Sequence, residues 1–389
     1  MFNIKTYNNI STLGLGRFEA ERYRVGDEVA DPHAYILRSH KLHGEPVPDS
    51  LLAVARAGAG YNNIPVDDYS HKGIVVFNTP GANANAVKEL VVVGMIAGSR
   101  DIFGGMQYVQ SLHGVDDPAE MSVILEKEKK RFAGQEIAGK TLGVIGLGAI
   151  GSMVANMGLE LGMRVVGFDP ALSVEAAWRL SSRVERMDSI GALCAEVDFL
   201  SLHVPANEHT RHLIDEKVLD KIKPGSKLLN FAREQVVDTA AVIAALDAGR
   251  LSRFITDFPR PELFGRDDVV LMPHIGASTA EAEENCAIMA ADQLKDFLVN
   301  GNVINSVNFP MTRMARNGGY RITFCNDNVP AVLGSVLNVL SSRGINVIDL
   351  VNKSRGDMAY NILDLETEPG PDAVAEMCAI DGVIHLRTL

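Results

Sequence analysis

Cysteine is scarce. The chain holds four, Cys194, Cys286, Cys325 and Cys378, far apart and in no CxxC pair. That spacing argues against a disulfide framework or a zinc site and fits reduced thiols in a cytoplasm, the expected location. A basic excess is absent as well: 37 Lys and Arg stand against 49 Asp and Glu, a net charge of −12. No basic stripe offsets it, so no nucleic-acid partner is expected. Any anionic small molecule must then be held by arginines gathered locally. Long apolar runs are missing too. The longest, LVVVGMIAG, is about half of what a membrane span needs, so no membrane partner is expected. The first ten residues, MFNIKTYNNI, show no basic segment followed by an apolar one, and no signal peptide is expected. The pairs His40/His43 and His209/His212 are spaced i, i+3. Neither has a third ligand at a suitable spacing, so no metal is expected.

What is present is ordinary globular composition, 47% hydrophobic and 22% charged. At 389 residues the chain calls for two or three domains. AYILRS, LLAVARAG and IVVFNTP read as buried strands ending in polar or glycine-rich loops, the rhythm of a parallel α/β sheet. A helical segment, ANAVKELVVVGMIAGSRDI, follows, then a polar stretch over 116–136 that reads as a connector or exposed helix. A second α/β unit begins at KTLGVIGLGAIG and continues through RVVGFDP, VDFLSLHVP, SKLLNFA, RFITDF and VVLMPHIG. An alanine-rich helix follows Ala280, and 301–319 contains Pro310 and Gly318-Gly319. The last seventy or so residues read as βαββαβ, with Leu333, Val336, Leu337 and Leu340 on one helix face.

GVIGLGAIG places Gly146, Gly148 and Gly151 in GxGxxG spacing directly after an apolar strand. The first glycine permits a tight turn. The second lets backbone approach a pyrophosphate, which the following helix N-terminus stabilises. Asp169, 18 residues after Gly151 at the end of the next strand, suits the adenine-ribose hydroxyls and repels a 2′-phosphate. NAD is therefore the expected cofactor.

Three residues suit hydride chemistry. Arg233 follows the strand KLLNFA, and its planar fork can hold a carboxylate and polarise a neighbouring carbonyl. His274, between Pro273 and Gly276 after VVLMP, can take or give a proton near neutral pH. Glu262, in DFPRPELF, could fix the imidazole tautomer from its far nitrogen. Each lies just past a strand end of one nucleotide-binding sheet. Arg38-Ser39 ends an early strand and Arg56 begins RAGAG. Two arginines beside a glycine-rich loop make an anion nest, and Lys41 could add charge.

ARAGAGYNNIPV, NTPGANANAVKEL, GKTLGVIGLGAIG, LHVPANEHT, LLNFAREQVVD and PHIGAST together resemble the D-isomer-specific 2-hydroxyacid dehydrogenases over nearly the whole chain. The resemblance implies that Arg233, Glu262 and His274 are catalytic. It implies cofactor contacts at Gly146, Gly148, Ala149, Ile150, Gly151, Asp169, Pro170, His203, Val204, Pro205, Thr210, Phe231, Ala232, Asp257, Gly276 and Ala277. It implies substrate-anion contacts at Arg38, Ser39, Arg56, Ala57 and Gly58. The tail resembles an ACT domain, which implies a serine effector bound through Asn328 and Asn346. The sequence departs from the family at TDFPRPE, at Lys88, at EKEKKRF, and at Asn326 and Ala331, where the family has histidine and glycine.

The expected fold is two Rossmann or flavodoxin-like α/β domains plus a ferredoxin-like ACT domain. Residues 1–98 and 280–303 would bind substrate and 99–279 would bind NAD; 304–319 would be a linker and 320–389 the regulatory domain. The resemblance implies oxidation of 3-phospho-D-glycerate to 3-phosphohydroxypyruvate by a homodimer or homotetramer. The alternatives are a family member acting on glyoxylate, hydroxypyruvate, D-lactate or 2-oxoglutarate, and a non-catalytic NAD-sensing protein.

Overall fold

A computed structural model describes residues 1–389 apart from the side chain of Glu175. The chain divides into two units, one made of Met1–Asn83 with Ala280–Leu389, the other of Ala84–Thr279.

The first unit holds two sheets. Strands β1 (Phe2–Thr6), β2 (Tyr23–Gly26), β3 (Ala34–Leu37), β4 (Ala53–Arg56) and β5 (Val75–Phe77) form a parallel sheet in the order β2-β1-β3-β4-β5. That order is the flavodoxin one, with its switch point between β1 and β3. β3 is buried along its whole length, as expected of a strand covered on both faces. The Ala280–Asn300 helix supplies Ala287, Ala290, Leu294 and Phe297 to the same core as Ile4, Ile36 and Val75.

The segment 304–319, expected as a linker, is packed into this unit. Phe309 and Met314 are buried in its core. Asn308 accepts from Val76 N at 2.9 Å and donates to Ile74 O at 2.9 Å. It thus satisfies the open edge of β5 as a neighbouring strand would.

β13 (Tyr320–Asp327), β14 (Val347–Arg355), β15 (Met358–Leu365) and β16 (Val383–Thr388) make an antiparallel sheet ordered β14-β15-β13-β16. This is the ferredoxin-like arrangement that the βαββαβ reading anticipates. The period-2 alternation of β13 gives it two faces. Ile322 and Phe324 pack with Val336 and Leu340 of the Val332–Ser342 helix. Cys325, with Tyr360 and Ile362 of β15, joins the core of the five-stranded sheet instead.

That second face, together with Arg316 from the segment before β13, also closes a helix end. The last carbonyls of an α-helix lack intrahelical donors. Here Arg387 donates to Phe297 O and Leu298 O, Arg316 to Val299 O, Arg321 to Asn300 O, and the Tyr360 hydroxyl to Gly301 O. Cationic donors at this pole also oppose the helix dipole. Arg321 is fully buried and holds Asp364, its directly opposed residue in the ladder, through bonds of 2.6 and 2.7 Å.

The second unit is a seven-stranded parallel sheet. Its strands are β6 (Thr141–Ile145), β7 (Arg164–Phe168), β8 (Glu185–Arg186), β9 (Phe199–Leu202), β10 (Ser226–Asn230), β11 (Leu251–Thr256) and β12 (Val269–Leu271), in the order β12-β11-β10-β9-β6-β7-β8. The order reverses between β6 and β9, the switch point at which such sheets take ligands. The Ala84–Ser99 helix belongs to this unit although the sequence placed it with the first. Gly94 lies against Phe231 and Gly98 against Ile255, and a Cβ at either would sit 2.9 Å from the ring or the side chain. Small residues on that face let the helix settle on the nucleotide sheet. Residues 116–136 form the exposed Pro118–Glu128 helix and a short 3-10 turn. Among the described residues no helix is long and apolar enough to cross a membrane.

Candidate active site

The second unit carries the nucleotide cradle. Gly146 follows β6 with φ +87°, and its absent Cβ would lie 2.5 Å from His203 O. A Cβ on Gly151 would lie 1.8 Å from Gly146 O, whereas one on Gly148 would meet nothing within 4 Å. The outer two glycines are thus required by the turn itself. The middle one faces open space, where a phosphate can approach the backbone. Gly148 caps the Ala149–Glu160 helix with no side-chain bond to its N-terminal N–H groups, which leaves that pole for an anion. Asp169, just past β7, accepts from Leu147 N at 2.8 Å and Ala171 N at 2.9 Å. These bonds fix its carboxylate beside the cradle. Pro170 follows it, and Ala149 and Ile150 form the first turn of the helix.

Among the described residues, two of the buried side-chain atoms without a hydrogen-bond partner belong to Asp257 and His203. Asp257, past β11, is fully buried; its Oδ2 accepts from Gly276 N at 3.1 Å and its Oδ1 has no hydrogen bond. Burial raises its pKa, while the Gly276 N–H and the charges of His274 and Arg233 oppose the rise. His203 bonds the Ser201 hydroxyl through Nε2 at 2.8 Å and leaves Nδ1 buried and unpaired. Burial takes its pKa down to about 3, so the ring is neutral. Buried unpaired polar atoms are costly. An amide-bearing cofactor in the cradle suits an acceptor such as Asp257 Oδ1. The residues therefore fit a nicotinamide dinucleotide. Beside His203, Val204 and Pro205 begin a loop held by Thr210, whose hydroxyl donates to Pro205 O at 2.5 Å and accepts from Asn207 N at 2.9 Å. In this structure Thr210 thus braces the loop.

The reactive side chains come from neighbouring strand ends. Asn230 ends β10 and shapes the following turn: its Oδ1 accepts from Ala232 N and its Nδ2 donates to Arg233 O. Phe231 and Ala232 are buried, while Arg233 is half-buried and donates to Ala232 O at 2.6 Å. His274 follows β12 with φ +30°, a conformation rare outside glycine. Its N–H donates to Asp257 O at 2.9 Å, and its ring lies 4.9 Å from that of Phe258, centroid to centroid. The Gly276 N–H is buried against Asp257, and Ala277 follows it.

Glu262 differs from expectation. No hydrogen bond or ion pair joins it to His274 among the described residues. It sits in the exposed 3-10 turn Pro261–Leu263 and is held by Arg260 at 3.4 Å. Arg260 also holds Glu234 at 2.5 Å. A backbone hydrogen bond and then Arg260 lower the Glu262 pKa. Arg260 lies two residues away in sequence and competes locally for the carboxylate. Phe258 and Asp257 are the observed neighbours of His274. Arg260, Asn230 and Phe258 were not singled out in the sequence. The acid–base alternation of ARE and PRPE is the one trace that Arg260 leaves there.

The first unit carries the arginines. Arg38 follows β3, and its guanidinium meets Glu283 Oε1 at 2.6 Å. The Arg38, Ser39 and His40 N–H groups all donate to Asn8 Oδ1, at 3.3, 3.1 and 2.9 Å. Arg56, at the end of β4, donates from Nε to Arg38 O at 3.0 Å. Its guanidinium folds over Gly58, where a Cβ would sit 2.3 Å from Nη1; Gly58 has φ +151°. Ala57 is buried beside it, and Gly58 N donates to the Thr79 hydroxyl at 2.7 Å. Asn8 and Glu283 were also not singled out in the sequence. Just outside the C-terminal strands, Asn328 donates to Gly356 O at 3.0 Å, and Asn346 O accepts from Glu366 N. Ala331, where the family has glycine, holds φ +76°.

Residues 94–276 match the family described as D-isomer specific 2-hydroxyacid dehydrogenase, NAD binding domain. The chain is 30% identical to the D-3-phosphoglycerate dehydrogenase of Escherichia coli K12, over 99% of this chain and 95% of that one. It is 33% identical to the enzyme of the same name from Methanocaldococcus jannaschii, over 82% of this chain, and spans 58% of that longer protein. Its structure resembles the NAD+-bound 3-phosphoglycerate dehydrogenase of Entamoeba histolytica, with a TM-score of 0.61 and 26% identity over 79% of this chain and 98% of that one. With the glycine cradle, Asp169 and the Arg233–Asp257–His274 group in place, the chain belongs to the D-isomer-specific 2-hydroxyacid dehydrogenases.

Proposed function

We propose that this protein oxidises 3-phospho-D-glycerate to 3-phosphohydroxypyruvate, a step toward serine. The observation that carries the choice of substrate is the arginine pair of the first unit: Arg38 and Arg56, tied through the Arg38 carbonyl at the Gly58 loop. In a chain of net charge −12, two arginines gathered at one strand-end glycine loop support an anionic substrate, with Glu283 already beside Arg38.

NAD, held by the Gly146–Gly151 turn, Asp169 and Asp257, supplies the hydride acceptor. Arg233 binds the substrate carboxylate and polarises the oxygen on the reacting carbon. His274 takes the hydroxyl proton as that carbon loses hydride, and returns it in the reverse direction. Arg38 and Arg56 hold the distal phosphate through their guanidinium groups. Glu262 shares Arg260 with Glu234 in a charged cluster.

The exposed groove of about 780 Å³ lined by Ile102, Met106, Val109, Leu125 and Phe132 supports a homo-oligomer. The ferredoxin-like sheet supports an ACT-type role with serine bound near Asn328 and Asn346. The four free cysteines suit a reducing cytoplasm.

The test is initial rates of NADH formation over a panel of 2-hydroxy acids, with and without serine. Phosphoglycerate should lead the panel. His274→Ala should lower kcat by roughly a hundred- to ten-thousand-fold. Equal rates on phosphoglycerate and D-lactate would refute the substrate assignment, and a fully active His274→Ala variant the proton-transfer role.

A further inference from the structure

The anion pocket of the first unit already contains an anion. Glu283, in the first turn of the Ala280–Asn300 helix, places Oε1 2.6 Å from Arg38 Nη1. The pocket is otherwise tightly specified. Asn8 Oδ1 gathers three successive N–H groups and holds the turn that launches Arg38. Asn63 donates to the carbonyls of Arg38 and His40. Arg56 donates to the same Arg38 carbonyl. The Arg38 backbone is thus fixed from three sides, and the far end of its side chain is fixed by Glu283. The buried thiol of Cys286, one helical turn further on, senses Arg56, Arg38 and Glu283 together, so these charges share one neighbourhood.

A guanidinium has a limited set of donors, and a carboxylate bound to it uses the directions that a phosphate would use. Arg38 and Glu283 are both about half-exposed. Solvent screening keeps such a pair weak enough to exchange. We propose that Glu283 sets the specificity of the anion pocket. It stands in for the substrate's distal phosphate in the free protein, and the phosphate binds by displacing it from Arg38. This rests on the reading of Arg38 as an anion ligand. It goes further in assigning Glu283 as an internal competitor that weakens binding of every distal anion and so limits tight retention of phosphorylated product.

The test uses the full chain and inorganic phosphate as probe, titrated by calorimetry into wild type, Glu283→Gln, Arg38→Ala and the double variant. Circular dichroism checks that each is folded. Glu283→Gln should tighten phosphate by about two- to fivefold, the scale of an exposed ion pair. The gain should shrink at high ionic strength and vanish when Arg38 is also replaced. In turnover the same factor should enter through KM for phosphoglycerate and be absent for hydroxy acids with an uncharged tail. Unchanged or weaker phosphate binding by Glu283→Gln makes Glu283 only a prop for Arg38 and overturns the proposal. So does an absence of phosphate binding in every variant. Should phosphoglycerate fail as a substrate while Glu283→Gln still tightens phosphate, the functional reading falls and the competitor role stands.

Discussion

At the scale of single residues, the chemistry is legible where a side chain follows a strand in the linear sequence. Arg233, Asp257 and His274 each lie just past β10, β11 and β12, and a parallel sheet brings such positions to one edge. Asn8, Glu283 and Arg260 were not legible for the opposite reason. Their roles are made by side-chain contacts, and for Asn8 and Glu283 the partners lie far along the chain. Glu262 shows the limit from the other side. Its spacing matches the family, yet Arg260 holds its carboxylate. His203 offers a test by acid. Its ring is neutral in the fold, with its pKa moved by burial from 6.5 to about 3. The unfolded chain therefore binds a proton there that the folded chain refuses. Stability contributed at this site is fully present above pH 6.5 and is lost as pH falls toward the folded value. Urea titrations across that window should show His203→Gln losing stability less steeply than wild type, by at most about 1.4 kcal/mol per pH unit. Parallel slopes would show that His203 ionises alike in both states.

At the scale of elements, most strands were readable, because short apolar runs ending in glycine or polar loops have few other interpretations; β1, β2 and β8, partly or wholly exposed, carry no such run. Helix ownership was not readable. Ala84–Ser99 follows β5 in sequence but settles on the nucleotide sheet, because Gly94 and Gly98 admit Phe231 and Ile255. The 304–319 segment was misleading in another way. Proline and glycine suggest a spacer, yet Asn308 answers the free edge of β5 with both ends of its amide. Asn308→Ala leaves a buried N–H and a buried carbonyl unpaired. It should cost about 1–3 kcal/mol in chemical denaturation, a loss confined to the unit that contains β5. A neutral substitution would mean that water replaces the amide at that edge.

At the scale of the whole molecule, a βαββαβ tail was legible, but its attachment was not, since nothing local in β13 or β16 names the helix that its arginines reach. The alternation of β13 now explains the attachment: one face packs on its own helices and the other on the five-stranded sheet. The Arg321–Asp364 pair at that seam has no exposed surface on either side chain. Replacing Arg321 by Met alone strands a buried carboxylate and should cost about 3–5 kcal/mol. Replacing Asp364 by Leu as well should recover most of that loss in the same urea titration. A double variant as unstable as the single would assign the cost to the Asn300, Met314 and Ala315 carbonyls that Arg321 also serves. The arginine-closed helix end also sets an order of assembly during synthesis. Residues 84–279 are contiguous and can condense as soon as they leave the ribosome. The β1–β5 sheet emerges first yet must wait, since the donors that finish its covering helix extend to Arg387. The part of the chain made earliest is therefore completed last. A pause or break in translation before residue 320 would leave a finished nucleotide unit joined to an unfinished partner.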